Sequence, residues 1–123
     1  MIRKKILIVD DEASFARLVK LNLEETGEYE VLVETRGEHA VAAAKVFKPD
    51  FILLDIVMPD KDGGEIAQEL KLDQDLKNIP VGFLTALVRD YEVPPKGDSI
   101  AGYPFIAKPV TVGQLIAFIK NNM

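Results

Sequence analysis

The sequence has 123 residues, of which 48% are hydrophobic, and this is enough apolar material for one compact core but not for two. Its formal net charge of -5 and its scattered basic residues argue against binding to nucleic acid or an anionic membrane, so proteins or small charged ligands are the favoured partners. Because the chain has no cysteine and no apolar run near the ~20 residues that span a bilayer, we expect one soluble, cytoplasmic domain over residues 1–123, without disulfides or thiolate metal sites.

The chain opens with a short apolar strand signal over Lys5 to Val9, and Asp10-Asp11-Glu12 follows it directly. From Ala13 the apolar residues recur at the spacing of a helix, which Thr26-Gly27 ends because glycine is common just past a helix end. The predicted inward face of this helix consists of Phe15, Leu18, Val19 and Leu23.

A second strand and helix follow, and then the most apolar strand of the chain. Residues 29–35 alternate as in a strand near a sheet edge, and an alanine-rich helix is predicted over about 38–47. The run 51–54 has no polar alternation, which predicts an interior strand covered on both faces, with Asp55 at its carboxyl end. Turn residues in the following stretch MPDKDG then take the chain out of the sheet.

The second half of the chain continues this alternation. A helix is predicted over 64–71, and strands are predicted over 81–85 and 105–107. Thr111 and Gln114 have the spacing of a capping box, which predicts the start of a last helix. The stretch between 86 and 103 is the least regular, because Pro94-Pro95 cannot lie inside a helix and any helix there must be short or displaced.

Five strands that alternate with helices predict an α/β fold. Parallel strands need crossover connections, and the crossovers here are helical, so we expect a five-stranded parallel sheet with helices on both faces. In open sheets of this kind, ligands bind at the carboxyl ends of the strands. Four of the five strands end in charged or hydroxyl residues, namely Asp10 with Asp11, Asp55, Thr85 and Lys108.

This set of side chains predicts a site for a cation and a phosphoryl group. Carboxylates drawn together repel one another, so at neutral pH they share a proton or bind a cation, and an oxygen-only set suits Mg²⁺. A lysine and a hydroxyl can hold phosphoryl oxygens, and a carboxylate nucleophile can form an acyl phosphate.

Each of these residues also has an ordinary explanation. The acidic cluster after the first strand could cap the following helix, Asp55 could end a strand in a turn, and Lys108 could be a solvated lysine. Thr85 could be a strand threonine, and Phe105 a core aromatic. Because the charged and hydroxyl residues converge on one edge of the predicted sheet, the joint interpretation as a site is favoured over four separate coincidences.

Four motifs occur in one order along the chain: IVDDE at 8–12, LLDIVMPDKDG at 53–63, LTA at 84–86 and FIAKP at 105–109. In this order and spacing they resemble the motifs of a response-regulator receiver domain of bacterial two-component signalling. The resemblance covers the whole chain. It implies a flavodoxin-like, doubly wound sheet with strand order 2-1-3-4-5, and a single-domain signalling phospho-acceptor that is no enzyme beyond its own phosphorylation and dephosphorylation.

The resemblance assigns a role to each residue of the acidic cluster. Asp55 would be phosphorylated by a histidine kinase or a histidine phosphotransfer protein. Mg²⁺ would be bound by Asp11, Asp55 and the backbone carbonyl of Val57, with Asp10 acting through water. The phosphorylated form would bind a downstream protein target that the sequence does not name, because the added charge favours a second conformation.

The remaining motif residues would sense the phosphoryl group. Thr85 and Lys108 would hold its oxygens, and Phe105 would be the switch aromatic whose inward rotation follows Thr85. The peptide bond between Lys108 and Pro109 resembles one that is often cis in this family.

The chain departs from the family at three places. Val57 and Leu87 occupy positions that tune the attack of water on the acyl phosphate in relatives, and since both are apolar here we predict a long-lived phosphoryl group. Pro94-Pro95 falls where the family usually has its fourth helix, which often forms part of the output surface.

Two other classes of function fit the same fold. A phosphorylation-independent protein-interaction module would have lost an acid or the lysine, and both are present here. A flavin carrier would have a glycine- or Ser/Thr-rich loop after the first strand, and an aspartate-nucleophile phosphatase would have an Asp-x-Asp pattern with an acid-base residue there. The sequence after Val9 provides neither pattern.

Overall fold

The structure is a computed structural model that describes residues 2–85, 99–100, 102–108 and 110–123. Its strands are β1 (Lys4–Val9), β2 (Tyr29–Glu34), β3 (Phe51–Asp55), β4 (Val81–Thr85), β5 (Ser99–Ile100) and β6 (Tyr103–Ala107). Its α-helices are α1 (Ala13–Glu25), α2 (Ala40–Phe47), α3 (Gly63–Leu72) and α4 (Val112–Asn122). A 3₁₀ turn over Gly37–His39 precedes α2.

The sheet has the order β2-β1-β3-β4-β6-β5. The five longer strands are parallel, which confirms the predicted fold and the order 2-1-3-4-5 when β5 is left out of the count. The two-residue strand β5 pairs antiparallel with β6 and was not predicted, since two residues carry no readable alternation. The prediction that the second strand lies at an edge is also confirmed.

Helices cover both faces of the sheet, as predicted. On one face α2 and α3 pack over Leu7, Val9, Ile52 and Leu54. On the other face α1 and α4 pack over Ile6, Ile8, Phe51 and Leu53. The two sets alternate along each strand because successive strand residues point to opposite faces of a sheet. Every residue of β3 is buried, which matches the prediction of an interior strand.

The inward face of α1 differs from the prediction at one position. The buried residues are Ala16, Val19 and Leu23, whereas Leu18 is half exposed. A small alanine on the inward side lets the helix lie close to the sheet, and this rotation turns Leu18 toward solvent. Phe15 is partly buried, at the end of the helix nearest the strand termini.

The other element boundaries lie within a few residues of the predicted ones. The predicted helix over 38–47 is divided into the 3₁₀ turn and α2, and the capping box of Thr111 and Gln114 is present at the start of α4. No helix in the described part of the chain has the length and apolar character required to cross a membrane. Leu87, Pro94-Pro95 and Pro109, with its peptide bond to Lys108, lie outside the described residues.

Gly63 is the residue that lets the loop after β3 return tightly to the sheet. A Cβ atom at Gly63 would lie 2.5 Å from the backbone oxygen of Asp55, and the Gly63 N–H donates to the Ile56 carbonyl at 2.8 Å. We therefore expect Gly63→Ala to lower the free energy of unfolding by about 2 kcal/mol, because backbone must shift to admit the methyl group. Urea denaturation measures the difference.

The matched control is Gly113→Ala in the first turn of α4. The nearest atom to a Cβ there is the Thr111 hydroxyl oxygen at 4.0 Å, so alanine fits and its helix propensity exceeds that of glycine by up to about 1 kcal/mol. Equal stability of the two variants would contradict the close approach at Gly63.

Candidate functional site

Three carboxylates meet where β1 and β3 end. These strands are neighbours in register, with Val9 opposite Leu54, so Asp10 and Asp55 emerge side by side. One carboxylate oxygen from each of Asp10, Asp11 and Asp55 lies within 4.8 Å of the other two. Chain order reverses between β1 and β3, because β1 continues to β2 on one side and β3 to β4 on the other. Ligands of doubly wound sheets bind at this kind of position.

The ammonium group of Lys108 lies among these acids. Lys108 directly follows β6, and only 12% of its side chain is exposed. Its Nζ atom is 3.1 Å from Oδ2 of Asp10 and 3.8 Å from Oδ2 of Asp55. It donates a hydrogen bond to Oε1 of Glu12 at 2.5 Å and lies 4.9 Å from the centroid of the Phe15 ring. One cation from β6 thus faces carboxylates from the ends of both β1 and β3.

The lysine stays charged in this environment. Burial lowers the pKa of Lys108, but the hydrogen bond to Glu12, the close contact with Asp10 and the charges of Asp10 and Asp55 outweigh it, so the pKa lies above its usual value. A fixed positive charge beside a carboxylate can hold the oxygens of an anionic group.

The site nevertheless carries an excess of negative charge. Burial, followed by repulsion from Asp10, raises the pKa of Asp55 to about 7, although Lys108 and the Val57 N–H oppose the rise. The Val57 N–H is 3.3 Å from Oδ1 of Asp55. Asp10 is fully buried, and its Oδ1 accepts from the Glu12 N–H at 2.9 Å. Its Oδ2 has no hydrogen bond from any described residue.

These observations test whether the residues fit a divalent cation, and they do. The donors are oxygen only, which suits Mg²⁺. A buried carboxylate oxygen without a hydrogen bond and a neighbouring carboxyl group with a raised pKa both gain from an added positive charge. Asp11 is exposed, so water molecules can reach the three carboxylates.

The other predicted site residues that the structure describes are Val57, Thr85 and Phe105. Val57 is about half exposed, and its backbone is tied to Asp55 by the hydrogen bond from its N–H. Thr85 ends β4, next to β3 in the sheet, and its side chain lies outside the described part. Phe105 is partly buried and packs against the core under α2 and α3.

Sequence reasoning missed the contact between Glu12 and Lys108. Glu12 is the N-cap residue of α1, yet its side chain makes no capping hydrogen bond and instead accepts from Lys108. The explanation of the acidic cluster as a helix cap is therefore wrong, and the Asp10 carboxylate instead accepts from the Glu12 N–H in the turn before the helix. The sequence did offer a signal for this contact: Glu12 follows Asp10 and Asp11 directly, so a third carboxylate was available to a lysine near the end of β1.

Asp60 was also missed, and it joins two loops at this edge of the sheet. Its carboxylate accepts from the N–H groups of Gly37 at 3.2 Å and Glu38 at 2.9 Å, and these bonds, led by the one from Glu38, lower the pKa of Asp60. The loop after β3 is thereby attached to the turn before α2. A Cβ at Gly37 would lie 2.7 Å from the Lys61 carbonyl oxygen, so glycine is required for this approach.

Comparison with known proteins places this arrangement in a family. A family described as the response regulator receiver domain matches residues 6–120. The chain is 35% identical over 117 residues to the alkaline phosphatase synthesis transcriptional regulatory protein PhoP of Bacillus subtilis, covering 95% of this chain and 47% of that protein. It is 37% identical over 121 residues to the phosphate regulon transcriptional regulatory protein PhoB of Pseudomonas aeruginosa, covering 98% of this chain and 52% of that protein.

A solved structure agrees with the sequence comparisons. The chemotaxis protein CheY4 of Vibrio cholerae superposes with a TM-score of 0.85 at 25% identity, over 99% of this chain and all of that one. The chain spans about half the length of the two transcriptional regulators and the whole length of the chemotaxis protein. On the family match, the identity to these relatives and the shared fold, the chain belongs to the response regulator receiver domains.

Proposed function

We propose that residues 1–123 form a receiver domain that accepts a phosphoryl group on Asp55 in a Mg²⁺-dependent reaction. The observation that carries this proposal is the position of the Asp55 carboxylate, which is buried beside a second carboxylate, Asp10, and beside the ammonium group of Lys108. The Asp55 carboxylate can thus serve as the acceptor while a bound metal ion and Lys108 lie next to it.

The proposed step is an in-line transfer from a phosphohistidine. An oxygen of Asp55 forms a bond to phosphorus while the bond from phosphorus to the histidine nitrogen breaks, and that nitrogen leaves with the bonding electron pair. Lys108 offsets the charge on the phosphoryl oxygens, and Thr85 donates to one of them. Asp10, Asp11, Asp55 and the Val57 carbonyl would hold Mg²⁺, which supplies charge neutralisation when bound.

The proposed output is a change in conformation and in partner binding. Phosphorylation adds about two negative charges at Asp55 and favours the conformer in which Thr85 and Lys108 contact the phosphoryl group, with Phe105 following Thr85. The donor would be a histidine kinase or a histidine phosphotransfer protein, and the receiver of the signal a further protein. The cytoplasmic location stays a prediction from the sequence. The sequence likewise predicts that neither a membrane nor nucleic acid is a partner of this domain. Two of its relatives are named as transcriptional regulators.

Small-molecule phosphodonors test the proposal without a kinase. We expect acetyl phosphate or phosphoramidate with Mg²⁺ to add one phosphoryl group, and we expect a chelator to prevent the addition. Hydroxylamine should remove the group, because an acyl phosphate is a mixed anhydride whose carbonyl carbon hydroxylamine attacks while phosphate leaves. Intact-mass measurement followed by peptide mapping locates the group. A chain that stays unlabelled with both donors, or is labelled equally in the chelator, would favour the phosphorylation-independent interaction module instead.

We further propose that the phosphoryl group is long-lived. The Val57 side chain is exposed beside Asp55 and is apolar, so it has no group to orient an attacking water, and Leu87 adds none. We expect the double variant Val57→Asn, Leu87→Glu to lose its label faster, since a polar side chain there can orient the attacking water and accept its proton. The decay of phosphorylated protein after removal of the donor measures the rate.

A matched control for the hydrolysis experiment is Val46→Asn. Val46 is an exposed valine on α2, and its replacement makes the same chemical change away from the acidic cluster. Decay at the same rate in all three proteins would reject the proposed role of positions 57 and 87.

A further inference from the structure

The ammonium group of Lys108 is shared unequally among the acids around it. Its shortest contact is the hydrogen bond to Glu12 at 2.5 Å, whereas Asp10 lies at 3.1 Å and Asp55 at 3.8 Å. Oδ2 of Asp10 receives no hydrogen bond from the described residues although this ammonium group is close to it. The closest contact of the lysine is therefore with an acid outside the three-carboxylate cluster, and its contacts with the two buried acids inside the cluster are longer.

Two residues at the start of α1 contact the Lys108 ammonium group together. Glu12 precedes the helix, and Phe15, three residues on, places its ring 4.9 Å from the same Nζ atom. The turn itself is anchored, because the Ala16 N–H donates to the Glu12 carbonyl at 3.0 Å and Ala16 is fully buried. Glu12 and Phe15 thus both contact the ammonium group of Lys108.

The consequence follows from competition for carboxylate oxygens. An ammonium group that loses its closest acceptor turns to the next one, and here the next acceptors are Oδ2 of Asp10 and Oδ2 of Asp55. An oxygen that accepts a hydrogen bond from lysine is a poorer ligand for Mg²⁺, because the cation must displace the lysine first.

We propose that Glu12 is a positioning residue that acts through Lys108: as the closest acceptor of the ammonium group, it weakens the hold of Lys108 on Asp10 and Asp55, so that their oxygens remain available to Mg²⁺. This inference rests on the proposed function of the site. It goes beyond that function by giving a task to a fourth acid that would not itself bind the metal or the phosphoryl group.

Removal of Glu12 is the direct test, read as the affinity of the purified chain for Mg²⁺ in titration calorimetry. We expect Glu12→Ala to bind Mg²⁺ about threefold more weakly, which is the scale of a partly exposed ion pair. Glu25→Ala removes an exposed acid at the far end of the same helix and is expected to leave the affinity unchanged. Thermal unfolding of each variant checks that the fold is retained, which we expect because the Glu12 side chain does not cap the helix.

Two further variants separate this role from a direct attraction between Glu12 and the metal. Glu12→Asp keeps the charge but shortens the side chain, so it loses reach to Lys108 and is expected to bind as weakly as Glu12→Ala. In a Lys108→Met background, which keeps a long unbranched side chain against Phe15, adding Glu12→Ala is expected to cause no further loss.

The outcomes divide cleanly. The role of Glu12 would be overturned by any of three results. These are wild-type Mg²⁺ affinity in Glu12→Asp, wild-type Mg²⁺ affinity in Glu12→Ala, and a threefold loss of affinity on adding Glu12→Ala to Lys108→Met. If the wild-type chain binds Mg²⁺ and is labelled at Asp55 while the Glu12 variants match it, this inference fails and the proposed function stands. A wild-type chain that binds no Mg²⁺ would overturn both.

Discussion

Replacing Asp55 by asparagine is expected to abolish phosphorylation by acetyl phosphate or phosphoramidate. The amide keeps the size of the side chain but removes the nucleophilic carboxylate, and neither remaining acid of the cluster occupies its position at the end of β3. Intact-mass spectra after incubation with Mg²⁺ and donor give the labelled fraction, which should fall to the background seen without donor.

The control for this loss is Asp75→Asn, which makes the same change at an exposed acid in the segment between α3 and β4. It should be labelled to the same extent as the wild-type chain. A label that survives in Asp55→Asn and maps to Asp10 or Asp11 would show that another acid of the cluster is the acceptor. A label that maps elsewhere would contradict the proposal that this cluster is the site of phosphorylation.

The same substitution is expected to stabilise the chain when no metal is present. Burial and the charge of Asp10 raise the pKa of Asp55 from 3.8 to about 7, so the folded chain retains a proton that the unfolded chain has released between these two values. Stability therefore falls as the pH rises through this window, and the cost of the ionised carboxylate is complete above pH 7. Asparagine carries no such cost.

We expect Asp55→Asn to raise the free energy of unfolding by about 2 kcal/mol at pH 8 in a chelator, and by much less at pH 4, where the wild-type carboxyl group is protonated in the folded chain. Chemical denaturation at both pH values measures the difference. Added Mg²⁺ should narrow the gap at pH 8, because it binds more tightly to, and so stabilises more, the chain that retains all three carboxylates. A gain of equal size at both pH values would show that the effect does not arise from ionisation of Asp55.

The parts of the fold that the sequence predicted are those with a strong apolar pattern. The run 51–54 is buried on both faces and could only be an interior strand, and the capping box at Thr111 marked the start of α4 correctly. Leu18 was placed wrongly because periodicity gives the width of an apolar face but not its centre, and tertiary packing of Ala16 decided the rotation. The strand β5 depends on one pairing with β6 and has no local pattern of its own.

The site was predictable to the extent that it lies at strand ends. Parallel strands bring their carboxyl ends to one edge, so Asp10, Asp11, Asp55 and Lys108 could be placed together before any distance was known. The pairings within the site could not, because they depend on side-chain reach. Nothing in the spacing shows that Glu12, and not Asp10 or Asp55, is the closest acceptor of Lys108, or that Asp60 accepts from the turn before α2.

Gly82, in the middle of β4, lies under two aromatic rings. A Cβ atom there would be 2.7 Å from the Phe118 ring of α4 and 2.9 Å from the Phe51 ring of β3, and the two rings pack edge to face with centroids 6.5 Å apart. The three positions share one volume, so they should evolve as a set. Among relatives, a larger residue at position 82 should be accompanied by a smaller one at position 51 or 118, and single changes should be rare.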